Sequence, residues 1–223
     1  MGTGMVRNLM KAGHSVRVYT RTPSKGESLL KEGASWADSI AEVAGDVDAV
    51  ITIVGYPEDV EAVYLGKDGL IASAEPGTLL IDMTTSDPEL AVRIAEAGLE
   101  KELPVLDAPV SGGDKGAREG TLSIMAGGSS EGFDNAAPLF EAMGKNIVHQ
   151  GPAGAGQKTK MANQIAIAST MMGVCEAIYF AEANGLEPEQ VMKSIEHGAA
   201  GSWSLSNLMP RAMSGDYAPG FYV

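Results

Sequence analysis

The chain holds a single cysteine, Cys175, among 223 residues. An internal disulfide is therefore excluded, which suits a reducing cytoplasm, and the fold must rest on burial alone. Cys175 falls in an apolar helical run and reads as a small core residue. Histidine is nearly as scarce: His14, His149 and His197 are scattered, and with one cysteine they make no metal-ligand cluster. Cations are few, since 16 Lys and Arg face 29 Asp and Glu, for a formal charge of −13. That balance argues against nucleic acid, whose phosphates are held by exchanging counterions for protein cations, and against an anionic membrane surface. No unbroken apolar run reaches the ~18 residues of a spanning helix, and no signal peptide is read at Met1. What remains is a chain of 44 % hydrophobic and 20 % charged residues, enough to bury a core of one or two domains.

Two patterns divide it. Up to about Gln150, short β-rich runs alternate with amphipathic windows. The runs are 15–20, 49–54, 78–84, 104–110, 122–127 and 146–150; the windows are 24–32, 57–64, 88–101 and 130–143. Thr22-Pro23, Tyr56-Pro57 and Asp87-Pro88 mark helix starts. Such alternation predicts right-handed βαβ units, a Rossmann-like and mostly parallel sheet, and ligands outside the carboxyl ends of its strands. After Gly156 the pattern turns helical. From Gln157 to Asn184 only Gly173 interrupts, and Met161, Ile165, Ala168, Met172, Cys175, Ile178 and Tyr179 recur at helical spacing. Shorter helices are expected over 187–197 and 203–213. The expected fold is α/β, with residues 1–152 forming the dinucleotide-binding type of domain. An all-helical second domain, 153–223, is entered through one long helix, with the glycine-rich stretch 151–156 at the junction. The twelve methionines read as adaptable core filler.

A dinucleotide fingerprint needs a strand, then G-x-G-x-x-G at the first helix. Gly2-Thr3-Gly4 begins such a pattern, but Arg7 stands where the third glycine belongs and no strand precedes it. The better reading makes Gly2 the third glycine, packing helix against strand. A plain glycine-rich helix start is the alternative.

Several motifs stand together at characteristic spacings. They are Met1-Gly2, Asn8-Leu9, Gly13-His14, Thr20-Arg21-Thr22, Asp82-Met83-Thr84-Thr85, Asp107 to Gly113 (DAPVSGG), and Gly154-x-Gly156-x-x-x-Lys160-x-x-Asn163-Gln164. In these the chain resembles the β-hydroxyacid dehydrogenase family over its whole length, closest to the 3-hydroxyisobutyrate dehydrogenase and tartronate-semialdehyde reductase branch. The resemblance implies a first strand before Met1 and further helices after Val223. It also implies a homo-oligomer and a small carboxylate substrate.

Lys160 is then the expected general acid. It gives a proton to the alkoxide as hydride reaches the carbonyl carbon, and burial would lower its pKa toward the working range. The alternative is a solvated lysine, with Lys158 as a decoy. Asn163 and Gln164, at i+3 and i+4, share its face, and one of them would orient substrate. Ser111, Gly112 and Gly113 would grip the substrate acid through a hydroxyl and open backbone N–H groups, where a bare sequence reading sees only a tight turn. Arg21, with Thr22 and Lys25 nearby, replaces the acid that NAD-preferring folds place after the second strand. Guanidinium and hydroxyl suit a 2′-phosphate, so NADP is expected, with NAD possible; a solvated basic loop is the alternative. Tyr56, Pro57 and Thr85 at strand ends would line the cofactor, unless Ser86 and Asp87 there merely cap a helix. Phe221 resembles a position near the nicotinamide. Trp203 and Arg211 could shape the substrate pocket, though packing of the second domain is the slightly preferred reading. His14 reads as a helix-terminal residue, and no carboxylate is spaced to pair with His149 or His197. The functional rivals are a glyoxylate or succinic-semialdehyde reductase of the same family, and a non-catalytic cofactor-binding module.

Overall fold

Short β-rich runs bounded by glycine and Xaa-Pro steps become the strands of a sheet with helices on both faces. The computed structural model describes residues 1–218, and the chain divides into two units, Met1–Lys160 and Met161–Val223.

In the first unit, α1 (Gly2–Lys11) leads to β1 (Arg17–Val18), α2 (Glu27–Lys31), β2 (Ser35–Trp36) and α3 (Ile40–Ala44). Strands β1 and β2 form a parallel pair of their own. There follow β3 (Ala49–Thr52), α4 (Pro57–Leu65), α5 (Leu70–Ser73), β4 (Leu79–Asp82), α6 (Pro88–Leu99), β5 (Val105–Asp107) and β6 (Val110–Ser111). The unit continues with α7 (Gly113–Glu119), β7 (Leu122–Gly128), α8 (Ser130–Met143) and β8 (Gly144–Gly151). The larger sheet runs β3-β4-β5-β7-β6, with β8 also paired to β7. Pairs β3–β4, β4–β5 and β7–β8 are parallel; β7 is antiparallel to β5 and β6.

Strand β4 shows why helices cover both faces. All four of its residues are buried. Leu79 and Ile81 point into a core with Leu106, Ile124, Phe140 and Met143, while Leu80 points into one with Tyr64, Leu90 and Ile94. Side chains alternate across a strand, so a strand buried at every position requires a packed layer on each side. Helix α1 closes against that framework. A Cβ on Gly2 would lie 3.3 Å from Ile53, and one on Gly4 only 2.8 Å from the Ala117 carbonyl of α7. Close packing thus occurs at Gly2, and more tightly at Gly4.

The expected elements need four corrections. The run 104–110 breaks into β5 and β6 at Ala108-Pro109, because Pro109 has no N–H to donate; both pieces pair with β7. Strand β2 and helices α3, α5 and α7 were not foreseen; each is short and lacks clear periodicity. The glycine-rich stretch is a tightly packed helix entry. The expected helix at 203–213 is two helices.

The long helix, α9 (Ala155–Ala183), is followed by α10 (Pro188–Ile195), α11 (Trp203–Asn207) and α12 (Met209–Met213). By length and composition α9 could cross a membrane, a test that core helices of soluble proteins also pass. Within the second unit, Val174, Ile178, Met192, Leu205 and Met209 form the core. The face read as a core stripe is largely exposed: Ile165 at 71 %, Met172 at 66 % and Tyr179 at 74 %. Cys175, expected in a core, is exposed. Periodicity identified the helix but not which apolar side is covered.

Asp82 ends β4 in a buried network. Its carboxylate accepts from Thr52 Oγ1 at 2.9 Å and from the Thr84 N–H at 3.1 Å, and Thr52 Oγ1 also meets the Tyr64 hydroxyl at 2.9 Å. Burial raises the carboxyl from 3.8 to about 6, against the opposing pull of Thr84 and Thr52. A raised carboxyl means that the folded chain holds this proton more tightly than the unfolded one. The residue's contribution to stability is therefore most favourable at low pH and declines as pH rises through about 6. Asp82→Asn keeps an acceptor without the charge. Its Tm relative to wild type should rise between about pH 4.5 and about pH 7.5; a flat or falling difference in calorimetry contradicts this account.

Candidate active site

The site is built at the carboxyl ends of β4 and β5, where Asp82 and Asp107 are register partners. Asp107 turns its carboxylate onto the start of α9. Oδ1 accepts from the Gly154 N–H at 2.7 Å and Oδ2 from the Gln157 N–H at 2.8 Å. Burial pushes this carboxyl up, and the N–H groups of Gln157, Gly154 and Gly156 pull it back. An unpaired N-terminal turn would leave buried donors without partners; Asp107 supplies acceptors and a charge of the sign the helix dipole favours. The approach is close enough to require glycine at 156, where a Cβ would overlap the carbonyl oxygens of Asp107 and Met125.

Gln157 fixes the same turn from its other side. Its side chain is fully buried; Oε1 accepts from the Ser86 N–H at 2.9 Å and Nε2 donates to the Thr84 carbonyl at 2.8 Å. The loop after β4 is thereby tied to the first turn of α9. Lys160 stands three residues further on. It is only 8 % exposed, and among the described residues its amine has no hydrogen bond or ion pair within the protein. Desolvation lowers its pKa. Lys158 is exposed. In the second unit, one turn along the same helix, Asn163 Nδ2 donates to Gln164 Oε1 at 3.0 Å.

Ser111 ends β6, partly buried. Gly112 (φ +127°) and Gly113 (φ +60°) adopt left-handed backbone that side chains disfavour, and a Cβ on Gly113 would meet nothing within 4 Å. The loop therefore leaves its backbone open. Thr85 is exposed, and Asp87 caps α6 by accepting from the Glu89 N–H at 2.9 Å. Ser86 does not cap. Its Oγ is buried and is the one buried side-chain oxygen or nitrogen without a partner among the described residues.

Arg21 brings a correction. The sequence shows no acid around positions 19–22, yet Arg21 reaches Asp59 Oδ1 at 2.8 Å. The other oxygen of Asp59 accepts the Tyr56 N–H at 3.1 Å, at the start of α4, where Pro57 is the first residue. Arg21, Thr22 and Tyr56 are exposed. Trp203 and Arg211 belong to the second unit; Trp203 is exposed at 57 %, and Arg211 pairs with Asp216 at 2.8 Å. Phe221 lies outside the described residues. His149 Nε2 is 2.9 Å from the Gly128 carbonyl, and its ring stacks on Phe133. His197 is exposed and 3.6 Å from Glu196, a pairing not anticipated. Sequence reasoning missed the work of Asp107, Gln157 and Asp59. The first two lay inside quoted motifs, but their bonds span 47 to 73 residues.

Residues 1–151 match the family described as the NAD binding domain of 6-phosphogluconate dehydrogenase. Residues 154–223 match the one described as NAD-binding of NADP-dependent 3-hydroxyisobutyrate dehydrogenase. An oxidoreductase of Bacillus subtilis is 58 % identical over 223 residues, covering 100 % of this chain and 77 % of that protein. A 3-hydroxyisobutyrate dehydrogenase of Pseudomonas aeruginosa is 42 % identical over 230 residues, again 100 % of this chain and 77 % of that one. Among solved structures, Mycobacterium tuberculosis 3-hydroxyisobutyrate dehydrogenase with L-serine superposes with TM-score 0.89 at 33 % identity, covering 99 % of this chain and 77 % of that chain.

Loss of the Asp107 carboxylate would strand two buried N–H groups. Asp107→Ala should destabilise by about 2–4 kcal/mol, and Asp107→Asn, which keeps one acceptor, by less. Urea midpoints check this; an Ala variant within about 0.5 kcal/mol of wild type would show that the cap does not hold the helix.

Proposed function

The chain belongs to the β-hydroxyacid dehydrogenase family, and on that premise we propose that it interconverts a small 3-hydroxy acid and its semialdehyde, such as 3-hydroxyisobutyrate or tartronate semialdehyde. It is an NAD(P)-dependent enzyme of that family. The observation that carries the proposal is Lys160: a buried lysine whose amine has no partner in the protein among the described residues, on a helix start that the sheet itself holds in place.

The residues present fit a dinucleotide. Ser86 Oγ is buried without a partner just after β4, at the strand ends where α/β sheets take their ligands. Bound there, a nicotinamide dinucleotide would supply or accept the hydride. Gly2, Tyr56, Pro57 and Thr85 are the proposed lining, with Arg21 and Thr22 on the 2′-phosphate side, in favour of NADP.

The remaining chemistry belongs to side chains. Ser111 and the open backbone of Gly112 and Gly113 hold the substrate carboxylate. Lys160 gives its proton to the carbonyl oxygen as negative charge gathers there, and its own positive charge stabilises that oxygen. In the oxidative direction the neutral amine takes the hydroxyl proton. Burial serves both directions by lowering the cost of the neutral form. Asn163 or Gln164 orients the substrate. The single cysteine supports a cytoplasmic setting, and a homo-oligomer follows the family resemblance.

Assays of the full-length protein should cover a panel of semialdehydes, 3-hydroxy acids and L-serine with both cofactors. Turnover of no member would overturn the proposal in favour of a binding module. Lys160→Ala should cost at least about 100-fold in kcat while cofactor binding survives. Oxidation should rise, and reduction fall, as pH passes through the lowered pKa of Lys160; profiles without that limb in wild type would remove its role. Arg21→Ala should weaken NADPH more than NADH, and an equal loss would refute the phosphate contact.

A further inference from the structure

We propose that Asp59 sets the choice between the two dinucleotides, competing with an adenosine 2′-phosphate for Arg21 and offering the acid that the loop after β1 lacks. The inference rests on the reading of Arg21 as the residue at the 2′ position.

The geometry makes Asp59 a fixed partner and Arg21 a movable one. Asp59 is three residues into the sequence Tyr56-Pro57-Glu58-Asp59, and its Oδ2 accepts the Tyr56 N–H at 3.1 Å. That bond anchors the carboxylate at the third residue of α4, and its side chain is only 23 % exposed. Gly55 makes room for it, since a Cβ there would lie 2.5 Å from Oδ2. Arg21 projects from the loop after β1, with 77 % of its side chain exposed, and lends one guanidinium nitrogen to Oδ1 at 2.8 Å. A long exposed side chain changes partner at little cost, whereas a carboxylate bound to its own helix start does not follow it.

A 2′-phosphate carries close to two negative charges and takes Arg through paired charge-assisted bonds. To bind here it must draw Arg21 away from Asp59 or lie beside it, and in either case it shares the space with a carboxylate. Glu58, exposed in the same first turn of α4, adds a second. A bare 2′-hydroxyl meets no such repulsion and can donate to an Asp59 oxygen. The chain therefore carries one determinant for each cofactor, and their pairing keeps either from acting alone.

The test is fluorescence titration of the full-length protein with NADPH and NADH at fixed low salt, for wild type, Asp59→Asn, Arg21→Ala and the double variant. Asp59→Asn keeps an oxygen for the Tyr56 N–H but not the charge. It should tighten NADPH by at least about fivefold and leave NADH unchanged or weaker. The gain should shrink in the Arg21→Ala background. Asp59→Ser, which also keeps a capping oxygen, serves if the first variant folds poorly on circular dichroism. If Arg21→Ala selectively weakens NADPH while both Asp59 variants leave the NADPH-to-NADH ratio within about twofold, the role of Asp59 is overturned and that of Arg21 stands. If Arg21→Ala weakens both cofactors equally, the phosphate reading falls and this inference with it. A full Asp59→Asn gain without Arg21 overturns the competition.

Discussion

One buried carboxylate holds the active end of the first unit together. Asp107 stands at the tip of β5 and accepts two N–H groups from the first turn of α9. The arrangement replaces water at the start of a 29-residue helix and fixes where its first side chains point. Gly156 exists for that approach, because any side chain there would strike the backbone of β5 and β7. Gln157 adds the loop after β4 to the same knot. The position of Lys160 follows from these contacts, one helical turn beyond them.

The electrostatics of this edge are arranged by burial more than by pairing. Asp82 and Asp107 lie side by side on adjacent strands, and both carboxyls are raised because desolvation outweighs their hydrogen bonds. Lys160 is lowered by the same cause, without a carboxylate to offset it. Among the described residues, a chain with an excess of acids thus keeps one lysine side chain buried without an ion pair, at a cost in desolvation. Arg21 is the contrasting case. It is exposed and paired with Asp59.

Much of this was legible in the residues. Xaa-Pro steps located α4 and α6, and the window 130–143 matched α8. The glycine spacing ahead of Lys160 separated it from Lys158, and the structure buries the first and exposes the second. Short elements escaped because five residues of α3 or two of β2 carry too little periodicity to register. The apolar stripe on α9 misled because periodicity reports that a face is apolar, not that anything covers it.

The sequence by itself determined the alternation of strands and helices, the long helix and the family, since these reside in local pattern and in motifs read along the chain. Tertiary structure alone decided that Asp107 caps α9, that Gln157 ties down the β4 loop, and that Arg21 meets an acid 38 residues away. Side-chain hydrogen bonds reach only a few ångströms, and no spacing in sequence reveals which distant residues the sheet brings within that reach.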